Sequence, residues 1–559
     1  MTEKRMCSKF KNFSLSTTVF ALLFGMGACS KNEVPDKPTP KVEGPTHLSE
    51  CVESDVAGLR TLAQANPELS LFQGDNPSQW TTVKVEWVKD KAGKYAVRAL
   101  LADEKSKTDK VLTLLLDGRK NGNVVFNHLQ EVNIAAPVKE ITILSQPALT
   151  TVRIDGVGQA STERVNIQGD EALKNVSIEN LPRLTDILLG GDDLQTVTLA
   201  NLPRLQDQSK LRFRAGYDDE GNEVKDTFVK ELTLKGDLGQ LNGLYLQGLN
   251  LEKLHLQTQL PLVTALTLNG NRLSGVLELK GLPGITMLNV AKNQLEGIKI
   301  SECPQLNELN ASANPLLKQC ELNLPALRTL DLNETALTAI DLGQLPLLRK
   351  ISAYKSQLAS VVFSSQNQKL SSVNLSENQL TQLSFPKEAS GIALLTLSKN
   401  VLTSLNVSML TDLERLLVKE NKLESLTVEA SQESFEELEC ENNHLSAKQL
   451  REVKERLSEL TSWSIAPQRL LGRVDVDKKQ IRATEEIDDL RLELTVQKKV
   501  DKRWTDADAG DYRLDNGVYT IQGTGTFRVI YTGSILDGSM WRFNKFTAFA
   551  PYIVGEVSR

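Results

Sequence analysis

Histidine is scarce in this chain. Its 559 residues include only four, His47, His128, His255 and His444, and these lie far apart. There is no HExxH, no His-x-His and no G-x-S-x-G elbow, so catalysis or metal binding built on histidine has no basis in the sequence. Cysteine is almost as thin, with six residues and no CxxC spacing. Cys51, Cys303, Cys320 and Cys440 are therefore expected to act as small core residues, and whether Cys303 pairs with Cys320 is left open. A basic balance is also missing. The formal net charge is -6, and no basic stretch is interleaved with aromatics, which argues against nucleic acid as a partner. The one sustained apolar run, Phe13 to Ala28, is too short for a membrane-spanning helix.

Carboxylates are plentiful, but they carry no recognisable chemistry. The clusters Asp192-Asp193, Asp218 to Glu220, Glu485 to Asp489 and Asp506 to Asp511 read as solvated loops. A calcium loop centred on Gly221 fails, because Gly216 and Thr227 would stand at its first and last ligand positions and neither supplies a carboxylate. Tyr217 to Val224 reads better as a polar hairpin inserted into one coil. No catalytic residue, metal ligand or cofactor is expected, and the chain is read as non-enzymatic.

What is present is a rhythm. The phrase V/L/I-x-x-L-x-L-x-x-N-x-L begins at Val263 and places its polar position at Asn271, Asn293, Asn314, Thr335, Ser356, Asn378, Asn400, Asn421 and Asn443, a step of 21 or 22 residues. This is a leucine-rich-repeat signature, in which each unit buries its apolar face only against stacked neighbours. Leu-x-Leu is a minimal strand with its leucines inward, and the asparagine amide can bond backbone groups of the buried turn. About ten residues remain for the back of each coil. They often alternate again, as in Ile298-x-Ile300 or Leu405-x-Val407, before a Leu-Pro or Cys-Pro turn. Extended rather than helical backs are expected. The pattern runs backward less regularly through Leu244-x-Leu246, Ile187-x-Leu189, Val165-x-Ile167 and Val152-x-Ile154.

The ends add five units, three before the solenoid and two after it. Lys4, Arg5, Lys9 and Lys11, then the apolar run, then Gly27-Ala28-Cys29 form an export signal over 1–28. The Gly-Ala-Cys junction resembles a bacterial lipobox, and the resemblance implies a lipidated Cys29 followed by a Pro- and Lys-rich spacer, 29–47. Residues 48–130 read as an α+β cap, with a helix carrying Val56, Leu59 and Leu62 and a hairpin from Val83 to Val97. The solenoid is assigned to 131–445. Ser446-x-x-Gln449 opens a capping helix and link over 446–463, and alternating strands over 464–559 suggest a β-sandwich.

Together the lipobox, the cap, the repeats, Trp463 to Gln468 and the Asp511 to Leu514 segment resemble internalin-like leucine-rich-repeat surface lipoproteins of the Bacteroidetes type. The fold class is mainly β with a few helices. The resemblance implies an outer-membrane lipoprotein, exposed on the cell surface or facing the periplasm. Function is expected on the concave strand face, whose side chains include Met287, Asn310, Asp331, Lys350, Tyr354, Asn374, Leu394, Arg415 and Leu417. Tyr354 is the only aromatic platform there, which favours a protein partner over a glycan. An adhesin or protein-interaction scaffold is the leading expectation, and a non-catalytic subunit of an envelope complex the alternative.

Overall fold

The structure, a computed structural model, describes residues 44–533 and 546–549 with interruptions, among them 66–75, 103–112, 214–227 and 483–492. The expected signal peptide, Cys29, the spacer up to residue 43, Val83 at the start of the first hairpin, the hairpin at Tyr217 to Val224 and the cluster Glu485 to Asp489 lie outside the described residues.

The regular coils form a leucine-rich-repeat solenoid. Their front strands, from Gly243–Tyr245 to Ser462–Ser464, make one eleven-stranded parallel sheet. Each strand is three residues long, and its central side chain points inward. Leu266, Leu288, Leu309, Leu330, Ile351, Val373, Leu395, Leu416 and Leu438 stand directly opposite one another in register and are buried. A slip of one residue in any coil would turn that file outward, so the leucines fix the register.

The backs are extended, as their alternation predicts. Ser274–Lys280, Gln294–Ser301 and Gln319–Leu322 form a three-stranded sheet, and two further pairs follow, Ala339–Asp341 with Ser360–Val362 and Ser404–Asn406 with Ser425–Thr427. Proline shapes the corner between back and front. The amides of Val263, Ile285, Leu306, Leu327 and Leu348 donate to the carbonyls of Leu260, Leu282, Cys303, Leu324 and Leu345, three residues earlier. Proline occupies the second position of each turn, where its fixed φ fits and no N–H is required.

The N-terminal half is built differently. Its back is an eight-stranded sheet running from Lys84–Lys89 to Lys253–Gln257, and its front a five-stranded sheet from Thr113–Asp117 to Leu211–Phe213. Val165-x-Ile167 and Ile187-x-Leu189 lie in that front sheet, whereas Val152-x-Ile154 lies in the back sheet, opposite Val132 and Val176. Placing it in the same series as the others was therefore an error of face. Here both sides of the coil are true strands with the same inward alternation, and a period of two does not say which side a strand occupies. Parallel pairing also runs without a break across residue 130, since Ala99–Ala102 pairs with Glu131–Ile134 and Thr113–Asp117 with Glu140–Leu144.

Helix α1 (Glu53–Ala65) covers the first coils, with Val56 and Leu59 in the core. It is tied down by Asp55, which is fully buried and accepts a 2.8 Å hydrogen bond from the Val97 amide. Burial raises the Asp55 carboxyl above its usual range, against the lowering effects of the Val97 amide, His128 and Ser54. Because the folded pKa lies above the unfolded value of about 3.9, the stabilising share is complete below that value and is lost as pH climbs through the folded one. Asp55→Asn keeps an acceptor for Val97 and removes the buried charge. Its stability relative to the native chain should rise as pH climbs from about 4 towards neutrality, as read by paired thermal melts; a variant less stable at neutral pH by more than about 1 kcal/mol would refute this.

At the other end Ser446 caps helix α2 (Ala447–Arg456), accepting from the Gln449 amide at 3.2 Å, and Leu450, Val453, Leu457 and Leu460 are buried. This helix forms the back of a last coil, whose front strand, Ser462–Ser464, completes the long sheet. Beyond it, five-stranded and four-stranded sheets surround a small core of Val496, Tyr519, Ile521, Phe527 and Val529. The hairpin turn at Asn516-Gly517 has both residues at positive φ, as a two-residue turn of this kind requires.

Candidate binding face

Beneath the front sheet a file of buried side chains ties each coil to the next. Asn378 donates to the carbonyls of Ala353 (2.7 Å) and Leu375 (2.9 Å) and accepts from the Leu358 amide at 2.9 Å. Asn271, Asn293, Asn314, Asn400, Asn421 and Asn443 repeat this pattern, each donating to its own coil and the preceding one. Where the asparagine is replaced, Thr335 and Ser356 share the work. Their hydroxyls both reach the Leu332 carbonyl, at 3.0 and 2.9 Å, and the Thr335 amide donates to Ser356 Oγ at 3.3 Å.

Sequence reasoning missed three rungs. Gln468, fully buried, donates to the Cys440 carbonyl at 2.7 Å and accepts from the Leu445 amide at 3.1 Å, extending the file past Asn443. Asn367 and Gln432 do the same at the corner near the proline turns, binding the carbonyls of Leu342 and Leu345 and of Val407 and Leu410. These two stand in coils without the Leu-Pro phrase at that corner, which is the signal that could have revealed them.

Above this file the outward columns divide into two kinds. Asn310, Asp331 and Asn374 each turn a side-chain oxygen back to the amide two residues on, at Ser312 (3.0 Å), Asn333 (3.0 Å) and Ser376 (3.2 Å). They shape the strand exits. Arg415 is committed as well, in an ion pair with Glu437, and Lys419 pairs with Glu439 at 2.7 Å. That bond to Glu439 raises the Lys419 pKa.

The second kind remains available for contact. Lys350 is exposed and makes no ion pair among the described residues; Leu394 is 38% exposed; Met287, Tyr354 and Leu417 are half-buried. The Tyr354 amide is fixed by Asn333 Oδ1 at 2.7 Å.

A rail of charge borders these columns. The residue before each rung sits at positive φ, including Lys292, Glu334, Lys355, Glu377, Lys399 and Glu420, with φ between 53° and 56°. From Glu334 onward successive coils alternate in sign, and Lys355 pairs with Glu334 at 3.4 Å and Lys399 with Glu377 at 2.7 Å. Lys399 holds the Glu377 carboxyl below its usual range, helped by the Tyr354 side chain. Exposed pairs of this kind add little stability, but they orient the side chains around Tyr354.

The described cysteines are unpaired thiols, including Cys303 and Cys320. Burial pushes the Cys51 and Cys320 thiols up to about 12, which makes them inert packing groups. Among the described residues no three His, Cys, Asp or Glu side chains converge on a metal-sized site.

No protein-family model and no curated protein matches this sequence. Solved structures similar to it include an internalin, InlF, from Listeria monocytogenes, at 19% identity over 40% of this chain and 76% of that one, with a TM-score of 0.31. YopM from Yersinia pestis is 18% identical over 60% of this chain and 88% of its own, TM-score 0.37. A leucine-rich-repeat protein of Leptospira interrogans is 19% identical over 54% and 90%, TM-score 0.29. Superpositions of that order lend nothing to the reading of the face, and the leucine-rich-repeat fold stands on the strand register and the asparagine file of this chain.

Proposed function

We propose that this protein is a lipid-anchored surface binding protein, an adhesin or interaction scaffold, that takes a protein partner on its front sheet. The supporting observation is the eleven-stranded front sheet itself, which presents small polar side chains in straight columns with Met287, Tyr354, Leu394 and Leu417 as larger contacts. Rigid display of this kind suits a broad partner, and aromatic and large apolar side chains supply its anchors. The anchor reading rests on Lys4 to Lys11, the apolar run and Gly27-Ala28-Cys29. A multiply acylated Cys29 would hold the solenoid at a membrane, where one chain alone is marginal.

The test has two arms. The full chain, immobilised, is presented to surface extracts beside a variant carrying Tyr354→Ala, Leu394→Ala and Leu417→Ala. Retention of a specific protein should fall at least about tenfold in the variant, and equal retention would remove the front face from consideration. In cells, Cys29→Ser should release the protein from the membrane fraction. Protease added to intact cells should cleave the native protein; protection until the outer membrane is breached would point instead to an accessory subunit of an envelope complex.

A further inference from the structure

One file of residues, at the corner where each coil enters its front strand, carries charge in a pattern that the binding face does not use. Successive members are tied coil to coil by backbone hydrogen bonds of 2.9 to 3.0 Å: Arg349 N–H to Arg328, Ser371 to Arg349, Ala393 to Ser371, Glu414 to Ala393, Glu436 to Glu414. They therefore form one continuous file, a residue per coil. At about 4.8 Å per coil the six positions from Arg328 to Glu436 span roughly 24 Å. On either side the file is neutral, with Thr286 and Asn307 before Arg328 and Thr461 after Glu436.

Read along the line, the file is two cations, two small residues, two anions. Neighbouring side chains reinforce both ends. Lys350 follows Arg349 directly and Lys369 precedes Ser371 by two residues, while Asp412 precedes Glu414 by two and Glu433 precedes Glu436 by three. All eight charged residues are exposed, and none makes an ion pair among the described residues. This contrasts with the face next to them, where Arg415, Lys419, Lys355 and Lys399 are all paired.

The pattern is antisymmetric about the midpoint between Ser371 and Ala393. A surface with that property is complementary to itself when turned by a two-fold axis, which is what an isologous contact requires. With the axis at that midpoint, Arg349 faces Glu414 of a second copy and Arg328 faces its Glu436, and each pair occurs twice. Ser371 and Ala393 meet at the centre, where small side chains allow close approach. Lys350 falls opposite Asp412 and Glu414, and Glu433 opposite Arg328.

We propose that the corner from Arg328 to Glu436 is a self-association surface, occupied by the same corner of a second copy running antiparallel. The contact is polar and solvent-accessible, so it depends on ionic strength, and of the front columns it engages Lys350 alone. No acidic or basic stranger is needed to satisfy either end, because each end is the other's complement.

The experiment is sedimentation equilibrium on the full chain at low salt, about 0.01 M, and high salt, about 1 M, where charge screening lengths are about 30 and about 3 Å. A dimer at low salt that dissociates at high salt is expected. Arg349→Glu alone and Glu414→Arg alone should each weaken low-salt association about tenfold or more, since both copies then present like charges. Mixing the two variants in equal amounts should restore a dimer holding one of each. The new carboxylate at position 349 of the first then meets the new guanidinium at position 414 of the second, while the untouched Glu414 and Arg349 meet at the other pair. A native chain that stays monomeric at low salt overturns the proposal, as do single variants that associate as the native chain does or a mixture that does not recover. Both variants keep residues 1–43, so association through that segment survives both reversals and is recognised by its indifference to them.

Discussion

Asn378→Ala should destabilise the solenoid by about 3 kcal/mol or more, because it leaves a buried amide at Leu358 and a buried carbonyl at Ala353 without partners and removes one of the two bonds to the Leu375 carbonyl, which keeps Asn400. Each orphaned group costs roughly 1–3 kcal/mol, and the site is too tightly packed for the alanine to be neutral. Long repeat arrays do not unfold as a single unit, so a single midpoint would mislead. Hydrogen exchange at the Leu358 amide and its neighbours in adjacent coils is the appropriate measurement. Asn378→Thr, patterned on Thr335, should retain a bond to one carbonyl and lose roughly half as much. If the alanine variant loses less than about 1 kcal/mol of local protection, water satisfies these groups and the file is not what holds the coils together.

Phe435→Ala carries the other large effect. Phe435 is fully buried and takes the position that Leu327, Leu348, Leu370, Ile392 and Leu413 hold in preceding coils. The larger ring stands in the coil immediately before the back changes from an extended segment to helix α2. Its loss should cost about 3–5 kcal/mol, the transfer term plus an unfilled cavity. Phe435→Leu restores the residue used elsewhere and should cost about 1–1.5 kcal/mol. The expected signature is faster exchange at Leu450 and Val453 in helix α2, with the coils near Asn293 unchanged. Uniform loss throughout the array would mean that the cap does not behave as a local unit.

Several elements were legible because the physics that fixes them is local and periodic. Asn271 to Asn443 could be read as rungs from their spacing, and Thr335 and Ser356 as partial substitutes from their hydroxyls. The Ser446 cap followed from its neighbours, as did the Asn516-Gly517 turn. Gln468 was not legible. It lies 25 residues beyond Asn443, because helix α2 lengthens that coil, and a longer side chain covers the difference. Val152-x-Ile154 was misplaced for the opposite reason. Its pattern is clear, but the same alternation serves both faces of a two-sheeted coil.

The candidate face shows the same division more sharply. Position in the repeat tells which side chains point outward, and it named Asn310, Asp331, Asn374 and Arg415 alongside Tyr354 and Leu394. It could not tell that the first three bend back to amides two residues on, because an Asx turn depends on the local φ and ψ. Nor could it tell that Arg415 is spent on Glu437, 22 residues away and one coil above.

The sequence by itself determined the stack: a period of 21 or 22 residues, inward leucines and a polar rung per coil leave a solenoid as the way to bury the apolar face and satisfy its backbone. Only the tertiary structure decided which face each early strand joins, which outward groups are already bonded, and which charges stand unpaired. Those are properties of neighbours a coil apart, and a one-dimensional pattern records the spacing of residues without recording what each one touches.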